Sequence, residues 1–371
     1  MDRAALRMLC SPQFWRMAVL WAISILYSYL LLFLGGRITV PRRRRQAPGA
    51  GRRPICVVTG VEAAPCAYMS VCYLSNVSRC GAFRRRRGWA RRRRWRWHGR
   101  ATTSCLTVQE IQRQQPDAYL EAFQLDLASY ESIKKFETLL KKWLRETDSE
   151  PAIQLLINNA GILAQSHRVS KDGLDEMIQS NYIGPFVLTN ILLPLLKNSP
   201  TPSRVVNVTS FTHRCVSSID VSENALRGMK LGQCSTAKSY PLASTYEYTK
   251  FCLLLFSYEL HRQMHTYSAV SVTAADPGVV ETKIMRELPP SLSWFAFFVL
   301  RILNLLQKPD TGAGAILDAA LAPPEASGKY FFGAKGRTIR SSWLSYDTEL
   351  GKLLWEESLA LFREVQQCSR M

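Results

Sequence analysis

Apolar residues follow two rhythms along this chain. Short apolar runs that end in a small or polar residue alternate with longer stretches carrying an apolar residue every three or four positions. Ile55-Cys-Val-Val-Thr-Gly60, Phe123–Leu127, Ile153–Ile157, Arg204–Ser210 and Val270–Ala275 are runs of the first kind. Buried parallel strands have this composition. Ser132–Arg145, with Ile133, Phe136, Leu139, Leu140, Trp143 and Leu144, has helical spacing, and Leu174–Leu196 and Ser244–His265 continue the pattern. Gly328–Gly333 reads as a last strand. Strands alternating with helices predict an α/β fold, a doubly wound, Rossmann-like parallel sheet covered on both faces. Such sheets take ligands at the carboxyl ends of their strands. Asn158, Ser210, Pro277 and Gly278 fall at those ends.

Ahead of this body lies Met17–Leu34, eighteen residues without a charge between Arg16 and Arg37. As a helix it would be about 27 Å long, enough to span hydrocarbon. It predicts a transmembrane or membrane-anchor helix, the alternatives being a buried helix or a hairpin in one leaflet. Arg37, Arg42–Arg45, Arg52 and Arg53 follow it, and this positive flank puts the body on the cytosolic side. The expected organisation is a tail at 1–16, the anchor at 17–34, a basic linker at 35–54, a catalytic domain at 55–335 and a helical tail at 336–371. A membrane location follows, in the endoplasmic reticulum or another organelle.

Charge sharpens this division. The chain of 371 residues carries 48 Lys+Arg against 29 Asp+Glu, net +19. Met1–Gly60 has ten Arg and one acid, and Val61–Cys105 has eleven Arg and one acid, so the rest is neutral. A nucleic-acid-binding body should carry its own basic face, so nucleic acid is not an expected partner. The ten Cys are scattered, with no zinc spacing. They read as reduced thiols in a cytosol-facing body, and no metal site is expected. Asn76 and Asn207 match glycosylation sequons, but Asn207 falls in a predicted core strand.

Asn158-Asn-Ala-Gly161, Asn181-Tyr-Ile-Gly184, Val206-Asn-Val-Thr-Ser210, Tyr246-Glu-Tyr-Thr-Lys250 and Asp276-Pro-Gly278 occur in this order. Together they resemble the short-chain dehydrogenases/reductases across about residues 55–332, and closer in the retinol-dehydrogenase-like branch with its plant counterparts. Hydride transfer at an alcohol carbon needs a matched proton transfer at the oxygen. Tyr246 and Lys250 stand four apart on a predicted helix, hence on one face, whereas Tyr248 has Cys252 at that spacing. Tyr246 is therefore the candidate acid/base, and Lys250 is expected to lower its pKa. The resemblance implies that Lys250 also holds the nicotinamide ribose and that Asn181 organises a relay water. It selects Ser210 over the adjacent Thr209 to bond the substrate oxygen.

The resemblance further assigns cofactor contacts to Thr59, Gly60, Asp126, Leu127, Asn158, Asn159, Ala160, Gly161, Pro277, Gly278 and Thr282. Asp126 could equally cap the next helix. Ser210 and Tyr246 are 36 positions apart, longer than the family pattern, and Thr212–Pro241 is expected to fold over the substrate mouth. Trp294–Leu306 is too short to span a bilayer. It reads as a substrate-lid helix, greasy for a lipid substrate or a bilayer, with a buried core helix as the alternative.

One element departs from the pattern. A glycine turn and a helix N-terminus to hold a pyrophosphate should follow Thr59-Gly60. Instead come Val61–Ala82 and an Arg/Trp-rich tract. The genetic code offers a reason. If each codon took the third base of one residue and the first two of the next, the junction of Trp89 and Ala90 must read Gly. The junction of Trp97 and His98 must read Ala. A compatible frame across Arg85–Leu106 restores a glycine turn, a helix and a strand. Residues 61–105 are thus expected to be read-through of non-coding sequence followed by a shifted frame. The alternative is a genuine module binding anionic lipid or RNA.

The expectation is a membrane-anchored oxidoreductase interconverting a hydrophobic alcohol and its carbonyl, of the retinoid, sterol or polyprenoid class. The resemblance implies NADP(H) as the preferred cofactor, with NAD(H) allowed, a lipophilic small-molecule substrate, and pairing into a homodimer through the helices around Asn181 and Tyr246. The rival is a catalytically impaired membrane scaffold.

Overall fold

A computed structural model describes residues 8, 10–35, 54–61, 68–73, 119–147, 151–229, 240–265 and 269–368. Helix α1 (Pro12–Leu34) precedes a seven-stranded sheet of β1 (Ile55–Val61), β2 (Tyr68–Tyr73), β3 (Tyr119–Gln124), β4 (Leu155–Asn158), β5 (Ser203–Val208), β6 (Val270–Asp276) and β7 (Tyr330–Phe332). The strand order is β3-β2-β1-β4-β5-β6-β7. Helices α2 (Tyr130–Thr147), α3 (Gly184–Lys197), α4 (Leu242–His265), α5 (Pro290–Ile302), α6 (Pro309–Leu321) and α7 (Thr348–Cys368) complete the frame.

Strands β1, β4, β5, β6 and β7 pair in parallel. β4, β5 and β6 are buried at every position, which explains their unbroken apolar runs: helices cover both faces. On one face Ile133, Phe136, Leu140 and Leu144 of α2 join Phe186, Leu192, Phe251 and Leu255 in a single core. On the other, Ile316 and Ala319 of α6 pack on Val206 and Phe331. The C-terminal helix belongs to the first core through Leu354 and Leu361. There Trp355 stacks on Phe256 at 5.8 Å and Ser358 bonds the Tyr182 hydroxyl at 2.6 Å.

The doubly wound expectation holds with one correction. β2, which the sequence did not announce, runs antiparallel to both β1 and β3. The reason is chain length. β1 ends at Val61 and β2 begins at Tyr68, whereas a parallel return needs a crossover of about a dozen residues or more.

α1 does not stand apart from the body. Its inward face buries Met17, Ser24, Ile25 and Ser28, and Ile25 shares a core cluster with Phe211, Leu254, Tyr330 and Phe332. Its outward face leaves Trp15, Val19, Ile23, Leu26, Phe33 and Leu34 exposed. α5 is likewise apolar and exposed, with Trp294, Phe295, Phe298 and Ile302 outside and only Leu292 buried. The buried-core alternative for this helix is thereby corrected. Asn207 is fully buried and bonds Ser257 at 2.8 Å, so its sequon lies in the core as expected. The Arg/Trp tract and Asn76 lie outside the described residues, as does part of the 212–241 segment.

Candidate active site

The carboxyl ends of β4, β5 and β6 converge on α4. One turn along α4, Lys250 Nζ sits 5.7 Å from the centre of the Tyr246 ring. It donates to the Val208 carbonyl at 3.1 Å, at the end of β5. A Cβ at Gly161 would lie 3.3 Å from Lys250 Nζ and 3.4 Å from Asn181 Oδ1, so this glycine keeps a bare wall beside both. Ser210, two residues past β5, has extended backbone and hydrogen-bonds Tyr246. Tyr246, Lys250, Ser210 and Asn181 are therefore brought together. The two rivals point elsewhere: the Thr209 hydroxyl turns back to the Ala275 carbonyl, and the Tyr248 hydroxyl donates to the Asp220 carbonyl at 3.1 Å.

Asn181 occupies a π turn, Gln179–Ile183, between the single helical turn Glu176–Ile178 and α3. Such turns recur at functional sites. Its carboxamide is fully used: Oδ1 accepts from Ile162 N at 2.8 Å, and Nδ2 donates to the Ile162 carbonyl and to Thr249 Oγ1. This double bond pins the strand-end turn carrying Gly161 to α4.

Thr59 and Gly60 set the other wall. The Thr59 hydroxyl accepts from the backbone N–H groups of Asn159 and Ala160, both at 2.9 Å, and Asn159 Nδ2 donates to the Thr59 carbonyl at 3.0 Å. A Cβ at Gly60 would lie 2.6 Å from Ala160 Cα, and its φ is +79°, so only glycine lets the strand ends close up this far. Asn158 faces inward, bonding Thr189 and Asn207 at 2.9 and 2.8 Å. Asp126 Oδ1 accepts from Ala128 N at 2.9 Å, a local turn just ahead of α2. Leu127 is buried and packs where α3 begins at Gly184. Gly278 N donates to Asp276 Oδ1 at 2.8 Å beside Pro277, and Thr282 lies exposed in the loop ahead of α5, its hydroxyl accepting from Ile284 N.

Electrostatics correct one expectation. Burial, then the Asp276 carboxylate, hold the Tyr246 phenol above its ordinary value, and only the Ser210 bond pulls it down. Lys250 supplies no downward pull here, because its ammonium lies over the ring and binds a carbonyl. Burial lowers Lys250 itself to about 8, opposed by Asp276. Asp276 is fully buried and pushed up by that burial, while bonds from Tyr330 and Gly278 N favour its charge.

Several contributors were not foreseen. Asp276 ends its strand as an acid, a signal present in the sequence. Thr249 and His213 carried none. The buried His213 shares a hydrogen with the Ser210 carbonyl at 2.6 Å, and its Nε2 accepts from Ser342 N at 3.2 Å. That acceptor role places the proton on Nδ1. Burial, then Arg214, lower this imidazole to about 3, so it is neutral and fixes the carbonyl of Ser210. Trp21 and Glu247 complete the list.

The nicotinamide end of a dinucleotide fits this site: a bare glycine wall, an ammonium, a phenol and a hydroxyl face one another at the strand ends. The phosphate end differs. Gly60 leads into Val61 and the β1–β2 hairpin, and no helix N-terminus follows it among the described residues.

Comparison with known proteins agrees. The sequence model of the family described as short chain dehydrogenase matches residues 99–218. Human polyprenol dehydrogenase is 31% identical over 259 residues, 68% of this chain and 72% of that protein. Human retinol dehydrogenase 13 is 31% identical, with the same shares of 68% and 72%. The zebrafish (Danio rerio) polyprenol dehydrogenase is 32% identical, with shares of 68% and 74%.

Proposed function

The chain belongs to the short-chain dehydrogenase/reductase family, in its retinol-dehydrogenase-like branch, as an oxidoreductase acting on CH–OH groups, and on that premise we propose that Tyr246 is its acid/base and an oily isoprenoid alcohol or carbonyl its substrate. The observation that carries this is the grouping of the Tyr246 phenol, the Ser210 hydroxyl and the Lys250 ammonium at the ends of β5 and α4.

In oxidation the Tyr246 oxygen takes the proton of the substrate hydroxyl, and in reduction it returns one. Ser210 donates to the substrate oxygen and stabilises the charge that develops there. Lys250 holds the cofactor ribose and passes protons on, and Asn181 keeps the Ile162 turn in register so that a relay water has a fixed place. Thr59, Gly60, Asp126, Leu127, Asn158, Asn159, Ala160, Gly161, Pro277, Gly278 and Thr282 border the cofactor along the strand ends. The cofactor, NADP(H) in preference to NAD(H), supplies or accepts the hydride. Pairing acid/base with orientation contributes about 10²–10⁴ in rate.

The protein works attached to an organelle membrane, with its body facing the cytosol. The outward rows of α1 and α5 support this, as does the basic flank at 37–53. α5 acts as a lid over the substrate mouth. A homodimer through α3 and α4 fits the family. The organisation into tail, anchor, linker, catalytic domain and helical tail stands with this reading. Turnover of a panel of retinoid, sterol and polyprenoid alcohols, with NADP and NAD in parallel, tests it. Tyr246→Phe should abolish turnover, and turnover unaffected by that change would remove the assignment.

A second reading, an impaired scaffold whose Arg/Trp tract binds anionic lipid or RNA, is favoured by the hairpin after Gly60. The frame shift within 61–105 accounts for that hairpin: a restored glycine turn would supply the missing phosphate end. NADPH binding by the restored chain alone supports the shift, and binding by neither chain supports the scaffold.

A further inference from the structure

α1 bonds to the residue that follows each of the two hydroxyl-bearing residues of the site. Ser24 Oγ donates to the Phe211 carbonyl at 2.6 Å, one residue past Ser210. The Trp21 indole N–H donates to Glu247 Oε1 at 2.7 Å, one residue past Tyr246. Arg16 pairs with the other carboxylate oxygen of the buried Glu247 at 3.5 Å. Further along, Arg214 Nε donates to Ser28 Oγ at 3.0 Å, and Gln307 Nε2 donates to the Tyr29 hydroxyl at 2.5 Å. A helix serving only as a tether would have no use for bonds spread over four of its turns.

The Trp21 ring lies 5.8 Å from that of Tyr246 and meets Phe211 edge-on at 6.5 Å. It packs in one apolar cluster with Ile162, Leu163, Tyr246, Ile284 and Met285. These are the apolar side chains around the phenol. The indole bond to Glu247 fixes the plane of the ring, so its face is held rigidly against that cluster.

We propose that α1 is a working wall of the substrate site, and that Trp21, fixed by Glu247, is a specificity-determining residue for long apolar alcohols. This rests on the reading of Tyr246 as the acid/base. The helix works docked lengthwise on the catalytic body, with its inward face over the site and its outward face toward lipid. An oily substrate then lies between Trp21 and the Ile284–Met285 loop.

Two measurements on the full chain in detergent micelles test this. Cys215 and Ser24 are hydrogen-bonding neighbours, so Ser24→Cys should form an intrachain disulfide with native Cys215 under mild oxidation. Leu26→Cys, on the exposed face, should not, nor should Ser24→Cys with Cys215→Ser. Retinol binding, followed by fluorescence, should weaken about tenfold in Trp21→Ala and recover most of that loss in Trp21→Phe. Absence of the 24–215 bond in chains that circular dichroism shows to be folded overturns the proposal, and so does unchanged retinol affinity in Trp21→Ala. Tyr246→Phe run alongside separates the two failures: turnover insensitive to it sinks the acid/base reading, whereas lost turnover with an unchanged Trp21→Ala sinks only the wall.

Discussion

On one side of β1, strands β4 to β7 run parallel, and their carboxyl ends gather Asn181, Ser210, Tyr246 and Lys250 around a bare glycine. On the other side β2 reverses direction, and Gly60 opens into a hairpin. Both halves rest on the same core, since Phe123 of β3 meets Phe136 of α2 at 5.8 Å, and Phe136 shares a cluster with Phe186 and Phe251. Packing alone therefore does not make a cofactor site. The catalytic half is built by side chains whose spacing survives in the sequence. The phosphate half depends on backbone amides at a helix start, and those vanish when a few glycines and one crossover are replaced.

The comparison can be broken first on the catalytic side. Lys250→Met removes the ammonium while keeping the stem's bulk, and should lower turnover about 10²–10⁴-fold. A loss smaller than tenfold in steady-state kinetics would detach Lys250 from the chemistry. The β3 side is next. Phe136→Ala leaves a cavity under that edge and should cost about 3–5 kcal/mol in urea unfolding. A change below 1 kcal/mol would mean that α2 does not pack there.

A smaller effect concerns His213. Its folded pKa is depressed, about 3 against an ordinary 6.5, so the unfolded chain takes up a proton that the fold refuses. Stability is therefore intact above about pH 6.5 and falls as pH drops from there toward 3, by about 1.4 kcal/mol per unit. Urea midpoints at pH 7 and pH 5 should show the drop, and His213→Gln should flatten it. Last, restoring a glycine turn and helix after Gly60 should tighten NADPH binding about tenfold or more by titration calorimetry. Equal affinity in both chains would show that the hairpin already serves.

Much of this was legible in advance because it follows from periodicity. The buried strands β4, β5 and β6 announce themselves as apolar runs, and Tyr246 with Lys250 as a pair one turn apart. Ser210 needed its family context, since nothing local separates it from Thr209 until the backbone turns one hydroxyl outward. β2 was illegible because its pairing arises from a short connection rather than from its own composition. Contacts distant in sequence were illegible too. Trp21 with Glu247 and Ser24 with Phe211 join an apolar helix to a body that hydropathy reads as separate. The direction of the Tyr246 shift was missed because burial and Asp276 outweigh a neighbouring ammonium that bonds elsewhere.

The central claim is that Tyr246 and Ser210 act on one oxygen as a unit. A cycle of Tyr246→Phe, Ser210→Ala and the double variant, measured as kcat/KM for one isoprenoid alcohol in a chain that binds cofactor, tests it directly. Residues that act together are non-additive, so the double variant should lose no more than the worse single one. Losses that multiply would show the two hydroxyls working independently and would contradict the account.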